Sequence, residues 1–325
     1  MVTASPAARA RLADELRPAL ASHDGRGLDR LATAAPLDLR DRFDTLLTIY
    51  DLHLGPVEKL GESARWQHHH AVVAIKNRCE SQWLAELQSL TQSQTSSATA
   101  VMAAMRALAA RDRLPEVYVW LARQANWDQV VAFLTLEGGP DDNFDDLVAI
   151  CQLGLTGPAK DELATNYWDE MGRGNPLDVH THLYSQLVEA VGMRAIPREE
   201  QPVSALARAA LGGLLATNRW LQPEMLGALG LIELQAGPRC QLVLQALHRC
   251  DAPSGAFPFY QVHADVDPRH GKDWLEKAVF PSVAANPAWG ARILRGAQWR
   301  SEVNAAFQDD VINLLADPVT SSPRR

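Results

Sequence analysis

Apolar residues recur three and four positions apart through most of the chain, as in Phe43, Leu46, Leu47 and Tyr50, and alanine and leucine outnumber β-branched runs. That period belongs to the amphipathic α-helix, so the predicted fold class is all-α. Residues 7–87 hold several such stretches. Beyond them the pattern predicts helices over 98–111, 115–136, 144–153, 158–171, 176–191, 203–216, 223–236, 257–274 and 302–315. Several open on proline in the first turn and close against glycine, as Pro223 and Gly237 do. The run Thr91-Gln92-Ser93-Gln94-Thr95-Ser96-Ser97 is the most polar and least periodic part of the chain and reads as a linker. The expected organisation is an N-terminal helical segment (1–90), a polar linker (91–97), a helical core (98–317) and a tail (318–325) without core-building residues. No fixed-period repeat is found, which disfavours a helical solenoid.

Composition narrows the partners. With 325 residues the chain can bury a sizeable core, and Lys plus Arg (31) against Asp plus Glu (39) leaves a net charge of −8. An acidic chain without a basic block repels nucleic acid and anionic membrane surfaces, so neither is an expected partner. Charged residues interrupt every apolar stretch before it reaches about 18 residues, the length a membrane span needs. Arg9, Arg11, Asp14, Glu15 and Arg17 break any signal-peptide core, and a cytosolic location is expected. Cys79, Cys151, Cys240 and Cys250 form no CxxC pair, which argues against a disulfide framework or a structural zinc site and for reduced, buried thiols. The run His68 to His70 could hint at metal, but consecutive residues of a helix point about 100° apart, so a solvated turn or helix edge is the simpler expectation.

The chemistry concentrates in residues 259–274. On a helix, His263, Asp267 and His270 stand at offsets of 0, 4 and 7, within an arc of about 60° at about 100° per residue, flanked by Phe259, Val266 and Trp274. Asp265, Arg269, Lys272 and Glu276 form a separate polar ridge. Two imidazoles and a carboxylate on an apolar face cost about 1–3 kcal/mol for each group left unsatisfied, and a metal ion would satisfy them. Asp267-Pro268 also has the form of an N-cap followed by proline, which would start a helix there and leave His263 outside it. On the spacing alone both readings stand. In the helix over 223–236, Glu233 falls in the apolar stripe with Leu226, Leu229 and Gly230. A carboxylate so placed needs a cation or takes up a proton. Glu170 and His180, ten residues apart across Gly172, Gly174 and Pro176, lie about 80° off a common face even on an unbroken helix, so periodicity does not join them to the site.

Taken in order, Asp169-Glu170-x-Gly-x-Gly-x-Pro-x-x-x-His180, then Glu233, then His263-x-x-x-Asp267-x-x-His270, the sequence resembles the haem-oxygenase-like iron-containing redox enzymes, the haem-oxygenase-like diiron oxidases and oxygenases, over roughly residues 115–274. The resemblance implies a bundle of about seven core helices, here with additional N-terminal helices, whose interior holds two non-haem irons. It implies Glu170, His180, Glu233, His263, Asp267 and His270 as the six ligands. Some relatives add a carboxylate upstream, for which Glu137, Asp145 and Asp146 are all candidates. Three imidazoles and three carboxylates suit Fe(II), with Mn(II) possible, and not an iron–sulfur cluster. O2 is the implied co-substrate. Haem is not expected, because haem-degrading relatives use a single histidine and lack interior carboxylates, which would repel the propionates.

The implied reaction is O2-dependent oxidation of a small amino-acid-like or aliphatic-acid-like molecule by N-oxygenation, desaturation or oxidative C–C cleavage, carried out by a homodimer. Tyr167, Trp168 and Phe259 are candidate pocket aromatics, and Arg173 a candidate for a substrate carboxylate, with plain core or solvated roles as the simpler expectation for each. The glycine-rich backbone between Glu170 and His180 is expected to order only when iron binds. Two other classes stay open at this point. One is a non-enzymatic helical interaction protein with ordinary buried histidines. The other is a metal-free protein of the thiamin-salvage helical type, which would need a nucleophilic cysteine beside a base.

Overall fold

In the computed structural model, which describes residues 10–91, 97–138 and 144–316, every regular element is helical and no strand occurs among the described residues. Residues 92–96 of the polar run and the tail lie outside the described residues. The chain divides into two compact units, Met1–Ser89 and Leu90–Arg325.

The first unit runs through α1 (Leu12–Ala21), α2 (Gly25–Leu31), α3 (Leu39–Leu54), α4 (Val57–Leu60), a 3₁₀ segment (Gly61–His68) and α5 (His70–Ser89). Asp41 of α3 takes up the amide N–H groups of Leu12 and Ala13 at 2.9 and 3.0 Å, satisfying the orphan donors that open α1. Between α3 and α5, Tyr50 donates to Glu80 at 2.8 Å and Arg42 makes a two-pronged bond with Glu86. The histidine run lies at the edge of a helix, as expected, but the rings of His69 and His70 do not diverge. His69 is extended and His70 starts α5, so the 100° step of a helix does not apply, and both rings turn toward Asp29, with His70 Nε2 at 3.1 Å and His69 Nε2 at 3.7 Å from its Oδ1.

The second unit comprises α6 (Ala98–Arg111), α7 (Glu116–Arg123), α8 (Trp127–Gly138), α9 (Phe144–Cys151), α10 (Gly157–Glu170), α11 (His180–Val191), α12 (Val203–Thr217), α13 (Gln222–Arg249), α14 (Phe257–Asp273), α15 (Phe280–Ala285) and α16 (Trp289–Ala316). Helix α13 is the axis. Its first turns, from Pro223 to Leu231, are buried on all sides, their residues being apolar except Glu224, whose carboxylate is taken up by Arg292 and Arg295, and the helix packs against α14, α16 and α7. Leu121, Phe133, Leu247 and Phe307 meet Tyr260 around its C-terminal half in one core, each of the four apolar side chains contributing about 1.5–3 kcal/mol by burial.

Three boundaries depart from the pattern. The segment 115–136 breaks into two helices at Gln124–Asn126, and the last helix begins thirteen residues earlier than expected, at Trp289. Helix α13 does not stop at Gly237 but carries Pro238 in its interior to Arg249, because neighbours on several sides hold the backbone that proline deprives of one bond. Helix α14 likewise runs unbroken through Asp267-Pro268, so no new helix starts there. No helix among the described residues is long and apolar enough to cross a membrane. All four cysteines are free thiols.

Candidate metal centre

Glu170 is the last residue of α10 and His180 the first of α11. The ten-residue link folds back on itself through a 3₁₀ turn, and Gly172 makes this possible: it adopts φ 61°, and a Cβ there would lie 2.6 Å from the carbonyl carbon of Asp178. The two helix ends thereby meet, with His180 Nδ1 2.7 Å from Glu170 Oε2. From α14, His263 completes a group of three, its ring centroid 4.5 Å from that of His180. His263 donates its Nδ1–H to the carbonyl of Phe259 one turn back, at 2.6 Å, which leaves Nε2 as the acceptor atom.

A second group stands on the next turns. Glu233 from α13 and Asp267 and His270 from α14 bring ligand atoms within 4.8 Å of one another, with His270 Nδ1 3.6 Å from Glu233 Oε2 and 3.9 Å from Asp267 Oδ1. Gly271 permits this approach, since a Cβ on it would sit 2.9 Å from the backbone oxygen of Glu233. Two side chains of α10 support the group: Asn166 donates to Glu233 Oε1 at 2.6 Å, and Asp169 accepts from His270 Nε2 at 2.8 Å. Arg173 and Arg269 in turn hold Asp169. All six sequence-derived residues are thus brought together, as two triads that share α14. His263 serves one triad, and Asp267 and His270 the other.

The electrostatics are those of a site crowded with anions. Burial, and then the negative charges of Glu233 and Glu170, hold the Asp267 carboxyl well above the usual carboxylate range. Burial also works against ionisation of Glu170, but contact with His180 and the nearby His263 and His270 outweigh it, and its pKa is lowered. Burial and the neighbouring His180 push His263 down to about 4. For His270 burial is outweighed by Glu233 and Asp169, which raise it to about 9. Asp169, despite burial, is held down to about 2 by Arg173 and His270.

These residues fit a pair of cations. Asp267 Oδ2, His180 Nδ1 and His270 Nδ1 are buried and make no hydrogen bond, and the 2.7 Å contact of His180 with Glu170 lacks hydrogen-bond alignment, as two ligands of one ion would. The donors are imidazole nitrogen and carboxylate oxygen, a set for Fe(II) or Mn(II). All of them but His270 line a cavity whose empty space, counted out to solvent, is about 850 Å³. Glu137 and Asp145 line it, whereas Asp146 does not. Burial, then Asp146 and Glu170, raise the pKa of Asp145. Of the candidate aromatics, Phe259 lines the cavity. Trp168 and Tyr167 do not, Trp168 being more than half exposed, and Arg173 turns to Asp169 instead of the cavity. Cys240 also lines it, but burial and Asp267 push its thiol well up, so it is neither a thiolate ligand nor a ready nucleophile.

The supporting residues Asn166 and Asp169 were not assigned from the sequence. A signal existed: the buried face of α10 reads Glu162, Asn166, Asp169 and Glu170, polar groups at helical spacing where apolar ones belong.

Two crystal structures, at 2.00 and 1.35 Å resolution, of a CADD-like protein of unknown function from Nostoc punctiforme are similar to this chain. The first has a TM-score of 0.54 at 18% identity, covering 68% of this chain and 99% of that one. The second has a TM-score of 0.51 at 17% identity, covering 70% and 99%. At such identity the likeness establishes the all-α fold. No curated protein matches the chain. The model of one family, described as iron-containing redox enzyme, matches residues 131–305, a span that runs from α8 to α16 and contains both triads. With more than half of its length matched, the chain belongs to the iron-containing redox enzyme family.

Proposed function

We propose that the protein is an O2-dependent non-haem diiron oxidase or oxygenase acting on a small amino-acid-like or aliphatic-acid-like substrate. The observation that carries this is the pairing of two triads, Glu170/His180/His263 and Glu233/Asp267/His270, which share α14 and of which all members but His270 line one cavity. Each triad would hold one Fe(II), and the pair would supply the electrons that reduce O2. The chain's own part is to fix the ligands. Phe259 sets the tautomer of His263, Asp169 sets that of His270, and Asn166 holds one oxygen of Glu233 while the other stays available. Asp267 and His270, both held above their ordinary pKa, keep their protons more firmly than free side chains, and a metal ion would have to compete with those protons for the same atoms. Ile232, Tyr184 and Phe259 give the cavity an apolar lining that admits a small organic molecule and keeps bulk water back. The proposed reactants are that molecule and O2, with no nucleic acid or membrane partner, in a cytosolic homodimer.

Anaerobic titration with Fe(II) tests this. Uptake should saturate at two ions per chain, the loaded protein should consume O2, and His263→Ala and Glu233→Ala should each remove one site. A chain that takes up no iron, or whose iron uptake ignores both substitutions, rules the proposal out.

A further inference from the structure

A second chamber abuts the cavity of the metal centre. Glu137, Ile232, Ala236, Cys240 and Tyr260 line both, but none of the six ligands lines the second. Three arginines from three helices do: Arg208 of α12, Arg239 of α13 and Arg300 of α16, each at least nine-tenths buried. Among the lining residues Glu137 is the one carboxylate, and it pairs with Arg208 at 3.7 Å.

Arg208 donates to the backbone oxygen of Glu137 at 2.8 Å, pairs with the carboxylate of the same residue and lies over the Phe307 ring. Arg239 gives one to the backbone oxygen of Asp112 at 2.8 Å and lies over Tyr118. Its Nε is buried without a hydrogen-bond partner, as is the hydroxyl of Tyr260 on the wall between the chambers. Both atoms can donate, and what they lack is an acceptor. Burial lowers the pKa of Arg239, an effect that Tyr118 opposes and that the positive neighbours Arg300 and Arg208 reinforce.

Resting on the function proposed above, we infer that this chamber binds the carboxylate of the substrate. The substrate class is then an organic acid anchored by its head group away from the metal ligands. Its chain crosses the shared wall at Ile232, Ala236 and Tyr260, and a carbon or nitrogen further along it lies beside the triads. Planar guanidinium groups and a carboxylate match in geometry as well as charge. The same arrangement keeps the carboxylate of the substrate off the metal ligands.

Calorimetric titration of the full-length protein with hexanoate, hexylamine, hexanol and inorganic phosphate tests this, in metal-free and Fe(II)-loaded forms. In the metal-free form Glu170 and Glu233 repel an anion from the metal side, so binding there reports the arginine chamber. Hexanoate should bind both forms about tenfold or more tightly than the amine, the alcohol or phosphate. Arg239→Gln and Arg300→Gln should each weaken hexanoate by about tenfold or more while iron uptake stays as in wild type, and Arg239→Lys should lose less. Melting curves establish that the variants fold, and the charge preference of the wild type needs no variant. Equal binding of acid and amine, phosphate as tight as hexanoate, or folded variants that bind hexanoate unchanged would each overturn the inference. Normal iron uptake with no carboxylate preference strikes this inference alone, whereas carboxylate binding without iron uptake strikes only the diiron proposal.

Discussion

Asp169 accepts a hydrogen bond from Nε2 of His270 at 2.8 Å, and this contact turns the other ring nitrogen, Nδ1, toward Glu233 and Asp267. A carboxylate behind a metal-facing imidazole fixes its tautomer and raises its basicity. Asp169→Asn keeps the shape and removes the charge, and it also frees Arg173 and Arg269. The expected outcome is a loss of about 10–100-fold in iron affinity at the Glu233/Asp267/His270 triad, with the other triad little changed. Anaerobic Fe(II) titration of the variant measures it, and a wild-type isotherm would remove the role assigned to Asp169.

The metal-free protein should have a bounded pH range of best stability. The folded pKa of His270, about 9, lies above the usual value for histidine of about 6.5, so its contribution is fully present below about pH 6.5 and is lost as pH rises toward 9. Asp267, raised as well, works in the same direction. His263, lowered to about 4, does the opposite: its contribution is lost as pH falls from about 6.5 to about 4. The melting temperature of iron-free protein should therefore stay roughly level between about pH 4 and 6.5, where Asp267 and His263 oppose each other, fall as pH rises toward 9, and fall below about pH 4, where Asp169 and Glu170, both held low in the folded protein, take up protons. Fe(II) should remove the alkaline fall, because bound His270 no longer carries the proton. The same curve with and without iron would contradict the assignment of His270 as a ligand.

What the sequence disclosed of this site follows from the helical period. His263, Asp267 and His270 were placed on one face by their offsets, and α14 carries them there without a break. Glu233 stood out as a carboxylate in an apolar stripe of α13, where it is indeed buried. Glu170 and His180 were out of reach of such reasoning, because a turn with Gly172 and Arg173 at positive φ joins them and no period describes a turn. Only the ordered resemblance to a family linked them. The division into two triads, the parts of Asn166 and Asp169, and the three arginines of the second chamber needed the tertiary structure, since each depends on which helices become neighbours. Long-range packing also carried α13 past Gly237 and Pro238, where local propensity predicts an end.

Gly271 sets the distance between α13 and α14 at the centre. A methyl group there would meet the backbone of Glu233 and Leu234 at 2.9 to 3.0 Å, and backbone cannot swing aside as a side chain can. Gly271→Ala should push the two helices apart, cost about 1–3 kcal/mol of stability and weaken iron binding at the triad that spans them. Denaturant unfolding and Fe(II) titration report the two effects. A variant as stable as wild type, with full iron uptake, would show that the helices have slack at this point.

Arg173 occupies the left-handed region at φ 51°, a conformation that costs a residue with a side chain about 1–3 kcal/mol, and its guanidinium grips Asp169 with two hydrogen bonds at 2.6 and 3.0 Å. The turn between Glu170 and His180 is thus strapped to the same carboxylate that holds His270. Iron bound by Glu170 and His180 would clamp both ends of the turn, and iron bound by His270 would stiffen the strap through Asp169. The side chain of Arg173 is more than half exposed, so trypsin can reach it once the turn opens. Cleavage after Arg173 should therefore slow by about tenfold or more when Fe(II) is added under anaerobic conditions, while cleavage at exposed sites in the first unit, such as Arg65, keeps its rate. If iron leaves the rate at Arg173 unchanged, the turn is ordered by its own contacts and owes nothing to the metal.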